Sequence, residues 1–361
     1  MAFEKFTYRL IAIWEKLRLG FIGLGKLYHP GTWREKGLFW SIGLLLATAV
    51  IALLITGWLW NKEPGIFDVR QAAIAASGGE KNLVTGSYYT GTLLKIGDVI
   101  LNKRGGYLSN DISPPGVLMD NIPSWEFGAL VMERDALAAL RNHFARSQSQ
   151  SVEDPDLSRA EPQWNFNNNS WILPSTESEY RKGLKYLRNY ATRLSSPEQK
   201  NSQFFARADN LQQYLEIVSK RLGSLSQRLS ASVGQVRVNT DLAGDSSATQ
   251  STATPAIRKF KTSWWKLDDI FYEARGSSWA LLHILKALSY DFDQVLQKKN
   301  AKVSLQQIIQ ELEGTQGQMT SPVLLNGSGF GLFANYSLVL ANYIARANTA
   351  IIDLRDLLQK G

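Results

Sequence analysis

The densest run of chemically capable side chains in this 361-residue chain is Asp268-Asp269-Ile270-Phe271-Tyr272-Glu273-Ala274-Arg275. On a helix, Asp269 and Glu273 lie one turn apart on the same face, and so do Asp268 and Tyr272. Two carboxylates so placed could bind a divalent cation or divide acid and base work between them. An architectural role competes with that reading. Asp268 and Asp269 near a helix start suit the macrodipole, and Arg275 can pair with a carboxylate of another helix. Trp264, Trp265 and Trp279 flank the cluster. They could line a sugar or acyl groove, and the same rings fill a core equally well.

Other candidate chemistry is thin. His29, His143 and His283 are the only histidines, and the last two have no HxxxH or HxxE partner. Cysteine is absent, which excludes a thiol nucleophile, a cysteine metal site and disulfides. Neither GxSxG nor a P-loop is present. Gly327-Ser328-Gly329 lacks the Lys and the preceding strand that a phosphate cradle requires, so it reads as a turn leading into a helix. Asn168-Asn169-Ser170 and Asn326-Gly327-Ser328 fit the glycosylation sequon, a pattern too common to carry weight. The DDxx(x)E shape resembles the diphosphate–magnesium motif of terpenoid synthases, but a second acidic motif is missing. No metal or cofactor is therefore expected, and Asp268, Asp269, Tyr272, Glu273 and Arg275 stand as the catalytic candidates.

The segments that must position these residues read as helices. Ser263, a plausible N-cap, opens a three-and-four pattern from Trp264 through Phe271, Leu281 and Leu288 to Val295. After Pro197, Phe204, Ala208, Leu211, Leu215, Val218, Leu222, Leu225 and Leu229 form a 4-3-4-3 coiled-coil seam. A third such helix runs from Phe333 through Tyr336, Leu340, Tyr343, Ala347, Ala350 and Leu354 to Leu357. Tyr180 to Leu194 and Val303 to Leu312 add further helices. Upstream, Phe67–Ser77, Thr90–Lys103 and Trp125–Arg146 are expected to be helical, although Val99, Ile100 and Leu101 could instead make a strand. Pro155, Pro162 and Asn167–Asn169 should keep 147–175 irregular. Residues 235–262 read as a low-complexity, mobile connector. These patterns predict an all-α fold, an elongated helical bundle.

Leu38–Trp60 carries no charge, and a run of roughly 20 apolar residues spans a bilayer's hydrocarbon core. Trp40 at one end, Trp58 and Trp60 at the other, and the bracketing Lys36 and Lys62 fit the headgroup level. Before the span, Lys5, Arg9, Lys16, Arg18, Lys26, Arg34 and Lys36 stand against Glu4, Glu15 and Glu35. That excess predicts a cytoplasmic N-terminus and a large domain across the membrane. The span is too long and starts too late for a cleaved signal peptide. Phe3, Phe6, Leu10, Ile13, Trp14, Leu17, Phe21 and Leu24 form one helical stripe beside basic residues, suited to a lipid surface. The expected organisation is 1–37 cytoplasmic amphipathic segment, 38–60 transmembrane helix, 61–175 membrane-proximal region and 176–361 helical bundle. Outside 1–60, 33 Lys and Arg face 29 Asp and Glu, too weak an excess to argue for nucleic acid.

The stretch SWWKLDDIFYEARGSSWALLHILKALSYDFDQVLQKKN (263–300), with GGYLSND (105–111), SWEFGAL (124–130) and SPVLLNG (321–327), resembles an uncharacterised family of bacterial inner-membrane proteins, a domain of unknown function. The resemblance covers nearly the whole chain from the span onward. It implies a Gram-negative cell with the large domain in the periplasm, and it transfers no activity. Two functional expectations follow. One is a non-enzymatic envelope scaffold or assembly factor, binding the bilayer and either an envelope protein or a second copy of itself. The other is a membrane-tethered enzyme or binder of a lipid or glycan, built on the Asp268/Asp269/Glu273 cluster.

Overall fold

The computed structural model describes residues 14–16, 18, 19, 23, 25–146, 152–196, 198, 202–238, 257–321 and 323–360. They fall into two compact units, Met1–Leu59 and Trp60–Gly361. In the first, α1 (Pro30–Lys36) starts with Pro30 at the first helical position, and His29 Nδ1 accepts the Gly31 amide at 3.1 Å. Gly37, at φ 83, ends it in a conformation that favours glycine. α2 (Leu38–Trp60) has 23 residues and a mean hydropathy of 2.5 in its most apolar window. It is long and apolar enough to cross a membrane. Lys36 and Trp58 are exposed and Trp40 is half-buried. Of the apolar stripe expected over Phe3–Leu24, Trp14 is described and exposed; the other seven residues lie outside the described residues.

The second unit contains α3 (Val69–Ala76), α4 (Ser87–Asn102), α5 (Asn121–Ala139), α6 (Leu157–Trp164), α7 (Thr176–Ser195) and α8 (Ala208–Ser230). Strands β1 (Gln235–Val238) and β2 (Ile257–Phe260) follow, then α9 (Leu267–Asp291), α10 (Asp293–Lys298), α11 (Lys302–Gly314) and α12 (Tyr336–Lys360). Among the described residues the fold is all-α apart from that short hairpin and an isolated bridge between Asn326 and Asn335. α9 is its axis: every residue from Ala274 to Leu285 is buried, as befits a helix covered on all sides. It packs most extensively on α5 and also meets α4, α8, α11 and α12. Segments 61–175 and 176–361 thus share one core.

Side-chain bonds fix the helix directions. Ser124 meets Asp269 near the starts of α5 and α9, so these two run parallel. α4 runs against them: Asp291 at the end of α9 accepts the Gly86 and Tyr89 amides at 2.7 Å, capping the start of α4. Lys103, just past the end of α4, pairs with Glu126 near the start of α5. Arg228 near the end of α8 pairs with Glu273 near the start of α9, and Ser226 bonds Ala341 near the start of α12. The starts of α5, α7, α9 and α12 and the ends of α4, α8 and α11 therefore share one end of the unit.

Several expected boundaries move. The helix expected after Pro197 starts only at Ala208, because the Phe205 amide bonds Phe144 O and Phe204 joins Tyr89, Phe144 and Phe292 in an aromatic cluster. Residues 147–175 are not wholly irregular. α6 forms despite Pro162, held by buried Leu157, Ala160 and Trp164, whose ring stacks on Tyr180 at 4.8 Å. The connector's two ends pair as an antiparallel hairpin, Gln235 opposite Phe260 and Val238 opposite Ile257; residues 239–256 lie outside the described residues. Trp264 is exposed in a 3₁₀ turn ahead of α9, and Phe292 breaks the helix before Val295. α12 starts at Tyr336 and turns Leu340, Ile344, Ala347, Ile351, Leu354 and Leu358 inward, leaving Phe333 and Leu357 exposed. α4 starts at Ser87, and α5 runs from Asn121 into a π-turn at Leu140–Phe144.

Candidate functional site

The first turns of α9 carry all five catalytic candidates and send three of them, Asp269, Glu273 and Arg275, to different partners. Asp268 is half-buried. Asp269 accepts from Ser124 Oγ of α5 at 3.3 Å. Burial, then the nearby Asp268 and Asp120, lifts its carboxyl above the usual range. Glu273 takes the Arg228 guanidinium in a fork, Nη1 to Oε1 at 2.6 Å and Nη2 to Oε2 at 2.5 Å. Burial pushes the Tyr272 hydroxyl up to about 12, so at neutral pH it keeps its proton. Arg275 turns towards the chain that follows α2: its Nε and Nη2 hold the Glu63 carboxylate at 2.7 and 2.5 Å, and Nη1 donates to the carbonyls of Thr315 and Gly317 at 3.0 Å. The Asp269–Glu273 face read from the sequence is therefore split between α5 and α8. Among the described residues, no three His, Asp or Glu gather where they could hold a metal ion.

What sequence reasoning missed is a seam between the linker after α2 and α9. Glu63 pairs with Arg275, Gly65 O accepts from Trp279 Nε1 at 3.1 Å, and the Phe67 amide donates to His283 Nε2 at 3.0 Å. The linker advances two residues for every four of the helix. That ratio suits an extended chain, about 6.6 Å per two residues, laid along an α-helix, about 6 Å per four. His283 Nδ1 lies 2.7 Å from Trp279 O, an acceptor only, so Nδ1 carries the proton and Nε2 accepts from Phe67. Burial holds its pKa down to about 4. Phe67 stacks on the same ring at 3.8 Å. With both nitrogens engaged and the ring neutral, His283 serves the seam.

Two of the segments singled out in the sequence meet at Glu126. Glu126 of SWEFGAL, wholly buried, accepts from the Leu108 and Ser109 amides of GGYLSND at 2.9 Å and pairs with Lys103. Gly128 and Gly276 let α5 and α9 touch: a Cβ on Gly128 would lie 1.9 Å from Glu273 O, and one on Gly276 2.0 Å from Trp125 O. Residues 33–361 match the model of a family described as uncharacterized protein conserved in bacteria (DUF2333). The chain belongs to that family. No curated protein and no solved structure matches it. In this member of the family, the DDIFYEARG segment is the hub of a packing arrangement that reaches α5, α8, α11 and the linker.

Two larger clefts lie near the hub, beside one of about 250 Å³ lined by Phe271, Arg275 and Tyr343 among others. One of about 500 Å³ lies among α5, α8 and α9, and Glu273 lines it together with Lys220, Arg221 and Arg228. Arg221 is tied to Asp135 at 2.6 Å, and Arg228 to Glu273. The other, about 460 Å³, lies between the linker and α4, lined by Lys62, Glu63, Lys95, Asp98, Lys103 and Arg104 among others. One buried acid has no partner in either network. Glu133 of α5 is wholly buried, and among the described residues neither carboxylate oxygen meets a hydrogen-bond partner. Burial lifts its pKa well above the usual carboxylate range.

Proposed function

We propose that this protein is a single-pass anchor of the bacterial inner membrane whose helical body, on the periplasmic side, acts by binding rather than by catalysis. It would serve as an envelope scaffold or assembly factor for another envelope protein or for a second copy of itself. The observation that carries this reading is the commitment of the hub to internal contacts: Arg275 to Glu63, Glu273 to Arg228, Asp269 to Ser124. The seam supports it as well, since the chain that leaves α2 is itself bonded into the body. The Lys/Arg excess before α2 supports the orientation.

A specific observation favours a second reading, that of a lipid or glycan binder. Glu273 lines an open cleft beside Arg221 and Arg228, although the arginines answer its charge. One experiment separates the two. Full-length protein is purified in detergent after gentle crosslinking, as wild type and as Asp269→Asn/Glu273→Gln. A reproducible protein partner or a discrete homo-oligomer, retained by the double variant, supports the scaffold. A lone monomer carrying a lipid or glycan that the variant loses overturns it.

A further inference from the structure

The unit Trp60–Gly361 has two very different ends. At the end shared by the starts of α5, α7, α9 and α12, the loops carry large apolar side chains into solvent. Trp264 is 74% and Trp265 79% exposed, Leu173 91% and Leu332 100%, and Leu118 and Phe330 are equally free of the core. The loops belong together. Tyr107 OH donates to Asn168 O, and Asn110 bonds Ser170 O and Glu177, which brings 105–118 beside 168–174. The Thr262 amide bonds Ala231 O and Tyr336 bonds Leu325 O, which closes the hairpin and the 326–335 turn at the starts of α9 and α12. Scattered exposed apolar residues are ordinary; a set gathered from four loops at one end is not.

Charge at this end is mixed, with Asp111, Asp120 and Asp268 among the same loops and first turns. Lys259, Lys261 and Lys266 are exposed around the two tryptophans. Residues 314–345, which include the tip at Phe330 and Leu332, hold no Asp, Glu, Lys, Arg or His. Aromatic rings beside lysines, with uncharged apolar tips between them, match the water–lipid boundary of an anionic bilayer.

Chain length supplies the occupant. The linker runs along α9 in the same direction as the helix, so tracing it back from Phe67 to Glu63 leads towards the helix start. Only Asn61 and Lys62 separate Trp60 from Glu63, a reach of about 10 Å over three steps. Trp265 lies ten residues before Arg275, about 15 Å further along the axis. Trp265 thus extends at least as far along the axis as the point where the chain leaves α2. We propose that this end of the unit rests on the membrane itself, with Trp264, Trp265, Leu332 and Leu173 at interfacial depth and Lys259, Lys261 and Lys266 among anionic headgroups. The proposal rests on the reading of α2 as a membrane anchor.

The chain has no cysteine, so single cysteines report without background. Trp265→Cys, Leu332→Cys and Leu173→Cys are spin-labelled in the full-length protein, held in nanodiscs containing phosphatidylglycerol. Val303→Cys, exposed where α11 starts at the opposite end, and Leu46→Cys, within α2, are the references. Accessibility to oxygen against a water-soluble nickel chelate gives the depth of each label. Expected is hydrocarbon depth at Leu46, interfacial depth at Trp265, Leu332 and Leu173, and bulk water at Val303. If Leu46 reads hydrocarbon while the three tips are as wet as Val303, the docking proposal falls and the anchor stands. Tips shielded from both reagents are covered by protein, which also overturns lipid docking. An aqueous Leu46 removes the anchor reading and the proposal with it.

Discussion

Glu133 of α5 is an acid sealed in the core with no cation paired to it among the described residues, and its titration should be visible in the stability of the whole fold. Its folded pKa lies well above the unfolded value, so the folded state holds a proton that the unfolded chain releases above about pH 4.5. Stability then falls as pH rises from that point, by up to about 1.4 kcal/mol per pH unit, until the folded pKa is reached. Glu133→Gln should raise Tm at pH 7–8 and leave it unchanged below pH 4, measured by circular dichroism in detergent. His283 works with the opposite sign. Burial depresses its folded pKa to about 4 from an unfolded value near 6.5. Its stabilisation is complete above pH 6.5 and is lost as pH falls towards 4, a drop of about 3 kcal/mol. His283→Gln, which can accept from Phe67 but cannot take a charge, should flatten the loss across that window.

At the scale of elements, two contacts decide how the helices meet. Gly276→Ala would drive a methyl group into the Trp125 carbonyl, where backbone must move, and should cost about 3 kcal/mol or more. Thermal unfolding of that variant checks the crossing of α5 and α9. Glu63→Gln leaves the Arg275 guanidinium buried without its counter-charge; the expected cost is about 3 kcal/mol, with faster proteolysis at 61–67. Those elements were partly legible in the sequence. The stripes of α8 and α9 could be read because they obey one period over many turns, and the inward leucines of α8 are the ones the pattern named. α6 could not be read, since Pro162 argues against a helix until Trp164 and Tyr180 stack. The hub was visible as a cluster of charges, but its meaning was not. Arg275 and Glu63 are 212 residues apart, and spacing along one helix carries no information about partners so distant.

For the whole molecule, the shared core makes 61–175 and 176–361 interdependent. A chain beginning at residue 176 would expose the face of α9 that α5 covers, including Trp279 and Gly276. Such a fragment should keep helical content but lose near-ultraviolet circular dichroism, and should bind a hydrophobic dye. The intact chain should show one cooperative transition for this unit instead.

The seam along α9 also has a mechanical meaning. A pull applied through α2 travels along the linker, nearly parallel to the helix on which it lies. Glu63–Arg275, Gly65–Trp279 and Phe67–His283 are then loaded together in shear, and none can be peeled open before the others. A linker meeting α9 at a right angle would fail one contact at a time. Laid parallel, it passes the force to all three bonds at once and so into the most deeply buried helix of the body.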